Sequence, residues 1–364
     1  MEEGDELWRF IRLLIVVVIS LTYCYFISKN IPKGFLRFFS VFPIILIFTY
    51  LPLSVSSMHL SGSTGFFLGW LANFKLLLFA CGKGPLSCTT SDSGSSISLK
   101  RFISVACFPI KIKNNIQKPS HNDHDIQISK PKSHLYYATQ ALLLAILVRV
   151  YVYKENLPRS FILFLYTFHM YFSLEILLAM SASLARFILG LELEPQFYDP
   201  YLSTSLQDFW GRRWNLMVTG ILRPTVYEPV RLICTNIFGR NLSLAMAVLA
   251  TFVVSGLMHE LMFFYMCRVL PTWEVLCFFI LHGICLITET RVKKLLNDKF
   301  QLPRLVSRTL TIGFVAVTCF WLFIPILGRC KIEIRGNEEL VAFAEFAKAV
   351  IQNSLVYLQL QTRA

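Results

Sequence analysis

Residues 242–267 read LSLAMAVLATFVVSGLMHELMFFYMC. Wound as a helix, a run of this length and apolarity matches the hydrocarbon thickness of a bilayer. It nevertheless carries a histidine and a glutamate side by side, His259 and Glu260, well away from either end. An ionisable group at that depth is expensive and points to function by default. One helical turn from His259 lie Ser255, Gly256, Met262 and Phe263, a small slot and a hydroxyl beside an apolar wall, which suits a tunnel around a base. Glu260 points about 100° away and need not share the site. Its simplest role is to pair with another intramembrane charge, with Lys75, Arg149 and Arg186 as candidates and Glu175 as a rival for them. The bland alternative is an imidazole that only hydrogen-bonds a neighbouring helix.

The rest of the chain supports the membrane reading. Its 364 residues are 55% hydrophobic, 14% aromatic and 16% charged, with a mean hydropathy of +0.57; a soluble domain carries about 25% charged residues. Eight apolar runs can span, at 10–27, 35–53, 65–80, 135–153, 160–180, 242–267, 273–290 and 305–328. The first lacks a basic leader and a small-residue cleavage site, so it reads as a retained span. The expected fold is all-α, a polytopic transmembrane helical bundle of about eight or more spans. The whole of 1–364 reads as one membrane-embedded domain.

The net charge of +13 comes from 35 basic and 22 acidic residues. No basic-aromatic RNA-type motif accompanies it, so nucleic acid is not expected as a partner. The basic residues cluster between apolar runs, which is how membrane proteins record orientation. Lys29, Lys33 and Arg37 mark the first connection as cytosolic. The 81–134 insertion, with eight Lys or Arg against three acids, is cytosolic too, and its SCTTSDSGSS segment reads as a flexible tip. SVSSMHLSGST, KENLPR and CRVLPT fall to the lumen, and RVKKLLNDKFQLPR to the cytosol. The ten cysteines are scattered and suggest neither a disulfide framework nor a zinc site. HNDH at 121–124 reads as solvated loop, and the seven histidines are too few for a histidine-rich di-iron site. His169 and His282 read as satisfied core residues. HELMF has Phe263 where a zincin needs its second histidine. No metal is expected.

Residues 191–241 are neither span nor ordinary loop. Pro195, Pro200, Pro224 and Pro229 break them and charges recur. Irregular backbone at membrane depth is tolerated only inside protein or along a wet cavity, so this segment is placed at the cytosolic surface, partly re-entrant. Within it stands DFWGRRWN, residues 208–215. On a helix Asp208 and Arg212 would pair, and Trp210 and Trp214 would share a face. An interfacial aromatic belt would read the same way. The functional reading is a gate for an anionic, long-tailed substrate, with Arg212 and Arg213 holding phosphates and Trp210 and Trp214 guiding the chain. Asn215 could then position a carbonyl or donate to a developing oxyanion.

DFWGRRWN followed by an intramembrane SGLMHE resembles the membrane-bound O-acyltransferase family, specifically its plant wax synthase branch. WLANFKLLLFACGKGPLS at 70–87, LELEPQFYDPYLSTSLQDFWGRRWNLMVTGILRPTVYEP at 191–229 and FVVSGLMHELMFFY at 252–265 carry the resemblance. It implies a bundle enclosing a lipid and acyl-CoA tunnel in the endoplasmic reticulum membrane. It implies His259 as the catalytic histidine and Asn215 as the second polar position; Trp210, Arg212, Arg213, Trp214 and Ser255 are expected on the substrate path from the local reading of their motif and helix face. Fatty acyl-CoA would be the donor cosubstrate, with no further cofactor. The acceptor would be a long-chain fatty alcohol or, as in sterol-acylating relatives, a sterol. The wording TGILRPTVYEP resembles the sterol branch. The chemistry agrees, since a desolvated imidazole stays uncharged and can take a proton near pH 7. A transporter would instead line several helices with polar residues, and a silent lipid-binding family member would not need the histidine.

Overall fold

The computed structural model describes residues 3–87, 97–112, 132–190, 192–296 and 302–332, with scattered helical positions from 334 to 352. HNDH and most of the SCTTSDSGSS tip lie outside the described residues. The helices are α1 Glu3–Phe26, α2 Phe35–Tyr50, α3 Met58–Thr64, α4 Asn73–Ala80, α5 Leu99–Cys107, α6 His134–Val150 and α7 Arg159–Leu189. Then follow α8 Leu206–Asp208, α9 Leu216–Leu222, α10 Glu228–Cys267, α11 Glu274–Leu295, α12 Arg304–Thr318 and α13 Pro325–Arg329. Among the described residues the only pairing of extended backbone is an isolated bridge between Ile112 and Leu193.

Eight helical stretches are long and apolar enough to cross a membrane: Asp5–Asn30, Phe35–Ser54, Met58–Ala80, Leu135–Asn156, Arg159–Leu189, Leu216–Cys267, Glu274–Leu295 and Arg304–Arg329. They coincide with the eight apolar runs, and the molecule is an all-α, multi-pass membrane protein. The third run gains length because α3 joins α4 through a wide π-type turn, Gly65–Ala72. The sixth stretch exceeds one crossing; α10 breaks at Gly239, whose φ of 75° suits glycine alone. Outward faces carry exposed Leu14, Ile15, Val18, Phe39 and Leu46, as lipid contact requires.

Lipid gives no hydrophobic push between helices, so close packing and buried polar contacts must hold them. Tyr265 of α10 fills a slot left by Gly65 and Gly69. A Cβ on Gly65 would sit 2.6 Å from Tyr265 Cδ2, and the Tyr265 hydroxyl donates to the Thr49 carbonyl of α2 at 2.6 Å. On its other side α10 meets α11 just as closely, where a Cβ on Gly256 would lie 2.7 Å from Leu276 Cδ1.

The intramembrane charges pair differently from the expectation. Glu260 accepts the Leu276 N–H at 3.1 Å in the first turn of α11, where a helix leaves donors open and favours negative charge. Lys75, fully buried, donates to the carbonyls of Val105 at 2.7 Å and Phe108 at 2.6 Å, at the complementary end of α5. Glu175 takes Lys132 at 2.6 Å and the Tyr136 hydroxyl at 3.0 Å. Burial acts to lower the Lys132 ammonium, but Glu175 and Tyr136 outweigh it and hold the group above its usual value. Arg149 and Arg186 are exposed. Helix ends, not opposite charges, absorb Glu260 and Lys75.

The expectation that the cysteines suggest no disulfide needs correcting. Cys267 and Cys330, 63 residues apart in sequence, are bonded with their Cα atoms 5.2 Å apart. This ties the end of α10 to the end of α13, on the face opposite the 192–216 segment. On that far face Glu339 caps α3, accepting from Ser57 Oγ at 2.8 Å, the His59 N–H at 3.1 Å and His59 Nδ1 at 2.7 Å. Burial alone would raise its carboxyl, but these bonds hold it at about 2. A cavity of about 280 Å³ opens beside it, lined by His59, Tyr151, His169 and Ile332; His259 is not among its lining residues.

Two outcomes follow from this packing. Gly65→Val should lower stability by about 1–3 kcal/mol, the usual range for overpacking, and an unchanged melting curve in detergent would show that Tyr265 does not occupy the slot. Because the Glu339 carboxyl is depressed from 4.5 to about 2, its stabilisation is complete above the unfolded value and is lost as pH falls through the folded one. Glu339→Gln should therefore lower the melting temperature at pH 7 by roughly 2–4 °C and leave a shallower acid dependence below pH 4.5. An identical acid profile in both proteins would remove the carboxylate from that role.

Candidate active site

The DFWGRRWN segment is built around a wide turn, not an ordinary helix. Ser205 starts it by accepting the Asp208 N–H at 3.0 Å. From Phe209 to Arg213 the turn is of π type, closed by Trp214 N–H donating to the Phe209 carbonyl at 2.8 Å. One extra residue per turn changes which side chains meet. Asp208 pairs with Arg213 at 2.8 Å, in place of the expected Arg212. Phe209 stacks on Trp214 with centroids 5.3 Å apart, while Trp210 stands edge-on to Trp214 at 6.3 Å.

Arg213 is consumed by this architecture. Besides Asp208, its Nη1 donates to the Tyr198 carbonyl at 3.1 Å and the Asp199 carbonyl at 3.4 Å. Tyr198 N–H bonds back to the Arg213 carbonyl at 2.9 Å, and Leu216 N–H to the Gln196 carbonyl at 2.9 Å. Residues 196–199 are thereby zipped along 213–216. Arg212 is exposed and makes no ion pair among the described residues. Of the two arginines placed on the substrate path, only Arg212 keeps its guanidinium free.

Asn215 sits where this zipper becomes α9. Its φ of 38° is left-handed, a conformation asparagine tolerates better than most residues. Its Oδ1 accepts the Val218 N–H at 3.3 Å and caps α9. Nδ2 has no hydrogen-bond partner among the described residues, although the residue is buried. One end of the amide is spent on structure and the other is left to donate.

His259 lies where two aromatic clusters meet. Its ring packs against Phe279 at 4.5 Å, Trp70 at 5.1 Å and Phe323 at 5.7 Å. Nδ1 lies 2.7 Å from the Ser255 carbonyl. A carbonyl can only accept, so Nδ1 carries the hydrogen and Nε2 holds the lone pair. Nε2 has no partner among the described residues, and the ring keeps partial accessibility despite its depth. Ser255, expected on the substrate path, contributes its carbonyl as the orienting group. Residues adjacent to His259 and to Asn215 meet in one packed cluster. Trp214, Met217 and Val218, flanking Asn215, belong to the same packed cluster as Trp70 and as Met258 and Met262, which flank His259.

Three wall residues were not singled out from the sequence. Trp70, Phe279 and Phe323 lie in apolar runs without a local signal. His282, expected as a satisfied core residue, and Glu289, which was not singled out, hold the motif in place from α11. Trp210 Nε1 donates to His282 Nδ1 at 3.1 Å, and Leu206 N–H donates to Glu289 Oε2 at 2.8 Å.

A partly accessible imidazole with one unpartnered nitrogen, set among aromatic rings deep in a membrane helix, and a buried amide that begins a short helix mark an integral membrane protein with polar groups held inside its bundle. Residues 193–281 match the model of the membrane-bound O-acyl transferase family. Over 349 residues the chain is 46% identical to acyl-CoA–sterol O-acyltransferase 1 of Arabidopsis thaliana, covering 96% of this chain and 99% of that protein. It is also 46% identical to the long-chain-alcohol O-fatty-acyltransferase of Simmondsia chinensis, covering 93% and 95%. A probable long-chain-alcohol O-fatty-acyltransferase 3 of Arabidopsis thaliana is 42% identical, covering 94% and 96%. The chain belongs to the membrane-bound O-acyltransferase family and is an enzyme of that class.

The Asp208–Arg213 pair gives a direct check. Asp208→Asn and Arg213→Ala should lower turnover together, and the double variant should lose no more than the worse single one. Fully additive losses would mean that Arg213 acts apart from Asp208, for instance on substrate.

Proposed function

We propose that this enzyme transfers the acyl group of a fatty acyl-CoA to the hydroxyl of a long-chain fatty alcohol, giving a wax ester and free CoA. A sterol is the competing acceptor. The observation that carries the chemistry is the state of His259: Nδ1–H fixed on the Ser255 carbonyl at 2.7 Å, Nε2 open, and aromatic rings on its other sides. Names of relatives support the substrates, and they include both acceptor types at equal identity.

In this reading Nε2 of His259 accepts the proton of the acceptor hydroxyl as its oxygen attacks the thioester carbon. Asn215 Nδ2–H donates to the carbonyl oxygen as it becomes an oxyanion. The carbon–sulfur bond then breaks, and His259 returns its proton to the departing CoA sulfur. Transfer is direct, since no thiol or hydroxyl hydrogen-bonds Nε2 among the described residues. Depth in the bilayer keeps water from competing for the thioester.

We place the enzyme in the endoplasmic reticulum membrane with the 192–216 segment toward the cytosol and CoA leaving past Arg212. Basic loops support this orientation. So does the Cys267–Cys330 bond, because disulfides persist in oxidising compartments such as the lumen. The 81–134 insertion is read as cytosolic, and 191–241 as the re-entrant part of a single acyltransferase domain.

The test is expression in a yeast lacking its own sterol and diacylglycerol esterification, fed with fatty alcohols. Wax esters identified by mass are the expected product; sterol esters alone would move the acceptor assignment, and neither product from folded protein would sink the reading. His259→Ala should lose about 10²–10⁴ in turnover. Asn215→Asp keeps the cap but not the donor, so it should be as deficient as Asn215→Ala, about 10²–10³ down. Recovery in the aspartate variant would reduce Asn215 to a helix cap.

A further inference from the structure

His282 is the one fully buried histidine among the described residues, at 0% exposure in the middle of α11. Both of its nitrogens are engaged. An indole N–H only donates, so His282 Nδ1, 3.1 Å from Trp210 Nε1, must accept. Nε2 therefore carries the hydrogen and donates to Thr318 Oγ1 at 2.8 Å. That hydroxyl in turn donates to the Phe314 carbonyl of its own helix at 2.7 Å. The relay runs one way, from Trp210 to the α12 backbone, and fixes a single tautomer.

Its effect reaches the catalytic chamber through one ring. Trp210 packs on Phe279 with centroids 5.8 Å apart, and Phe279 is the ring nearest His259 at 4.5 Å. An indole free to turn would let Phe279 shift against the imidazole. Glu289, seven residues beyond His282 and on the same face of α11, holds the Leu206 N–H at 2.8 Å. One face of α11 thus grips the DFWGRRWN turn at its start and at its tryptophan.

We propose that His282 is a positioning residue for acyl transfer: by accepting the Trp210 N–H it sets the indole and Phe279 wall that holds His259 in reacting geometry. This rests on the catalytic reading of His259 given above. His282 exchanges no proton with substrate, because neither nitrogen is free. It acts on turnover through Trp210 and leaves donor binding alone.

The experiment is a double-mutant cycle on the full chain in microsomes, with activity normalised to folded enzyme by size-exclusion in detergent. His282→Leu should lower kcat at least about tenfold with the acyl-CoA KM changed less than about twofold. In a Trp210→Phe background, His282→Leu should cost less than about twofold more, since the bond is already gone. The pH profile of kcat should keep its shape. Unchanged kcat, an equal loss in both backgrounds, or a displaced pH profile would each overturn the proposal. Should His282→Leu fail to accumulate, Thr318→Val removes the far acceptor of the relay, and the same loss of additivity with Trp210→Phe is expected. His259→Ala serves as the separating arm. If it remains active, the catalytic reading falls; if it is dead while the cycle is additive, only the role of His282 falls.

Discussion

The structure depends on how closely α10 is held. On one side Tyr265 lies in the slot between Gly65 and Gly69; on the other, Gly256 lets the α11 backbone approach until Leu276 fills the gap. A helix surrounded by lipid could rotate or slide at little cost, because lipid tails solvate its side chains as well as protein does. Two tight contacts, about ten residues apart along α10, remove both freedoms. Glu260 adds a third by capping α11. His259 lies between these points, so the direction of its ring is set before any substrate arrives.

Rings on and behind that wall share a backbone device. Trp70 and Phe323, which touch His259, and Trp210, which backs Phe279, each lie on a π-type turn, at Gly65–Ala72, Phe209–Arg213 and Cys319–Phe323. A π-turn re-aims the side chains that follow it and leaves a carbonyl short of its usual partner, a local cost. Three such turns near one imidazole indicate that aromatic placement here outweighed regular helix geometry. The fourth, Arg223–Tyr227, falls where α9 runs into α10.

The apolar runs made the fold legible, because bilayer thickness leaves few alternatives to spanning helices. His259 and Asn215 drew attention because polar residues stand out against such a background. What stayed hidden was the partner of each polar group. Glu260 and Lys75 were expected to seek opposite charges, yet both found helix ends, which carry no sequence mark. Arg212 and Arg213 were both matched to substrate phosphate and Asp208 to Arg212; the π-turn shifted that pairing by one residue and consumed Arg213. Cys267 and Cys330 could not be joined from spacing alone, since two spans fold between them. Trp70, Phe279 and Phe323 gave no signal, because a chamber wall and ordinary core share the same composition.

The accounting of polar atoms argues for where the chemistry can occur. In the dry interior each donor and acceptor left unpaired carries a penalty of about 1–3 kcal/mol, so most are satisfied. His282 uses both nitrogens, Glu260 caps a helix, and Arg213 spends its fork on Asp208 and two carbonyls. Some buried atoms stay without a hydrogen bond, Trp70 Nε1 and His169 Nδ1 among them; His259 Nε2 and Asn215 Nδ2, one an acceptor and one a donor, also lack a partner among the described residues, and the residues flanking them join a single packed cluster. Their partners on the opposite ends, the Ser255 carbonyl and the Val218 N–H, are backbone groups that cannot move away. In the proposed mechanism these two groups, each anchored from behind, serve as the proton acceptor and the oxyanion donor for attack of a hydroxyl on a thioester. The remaining polar groups of the motif serve to keep them there.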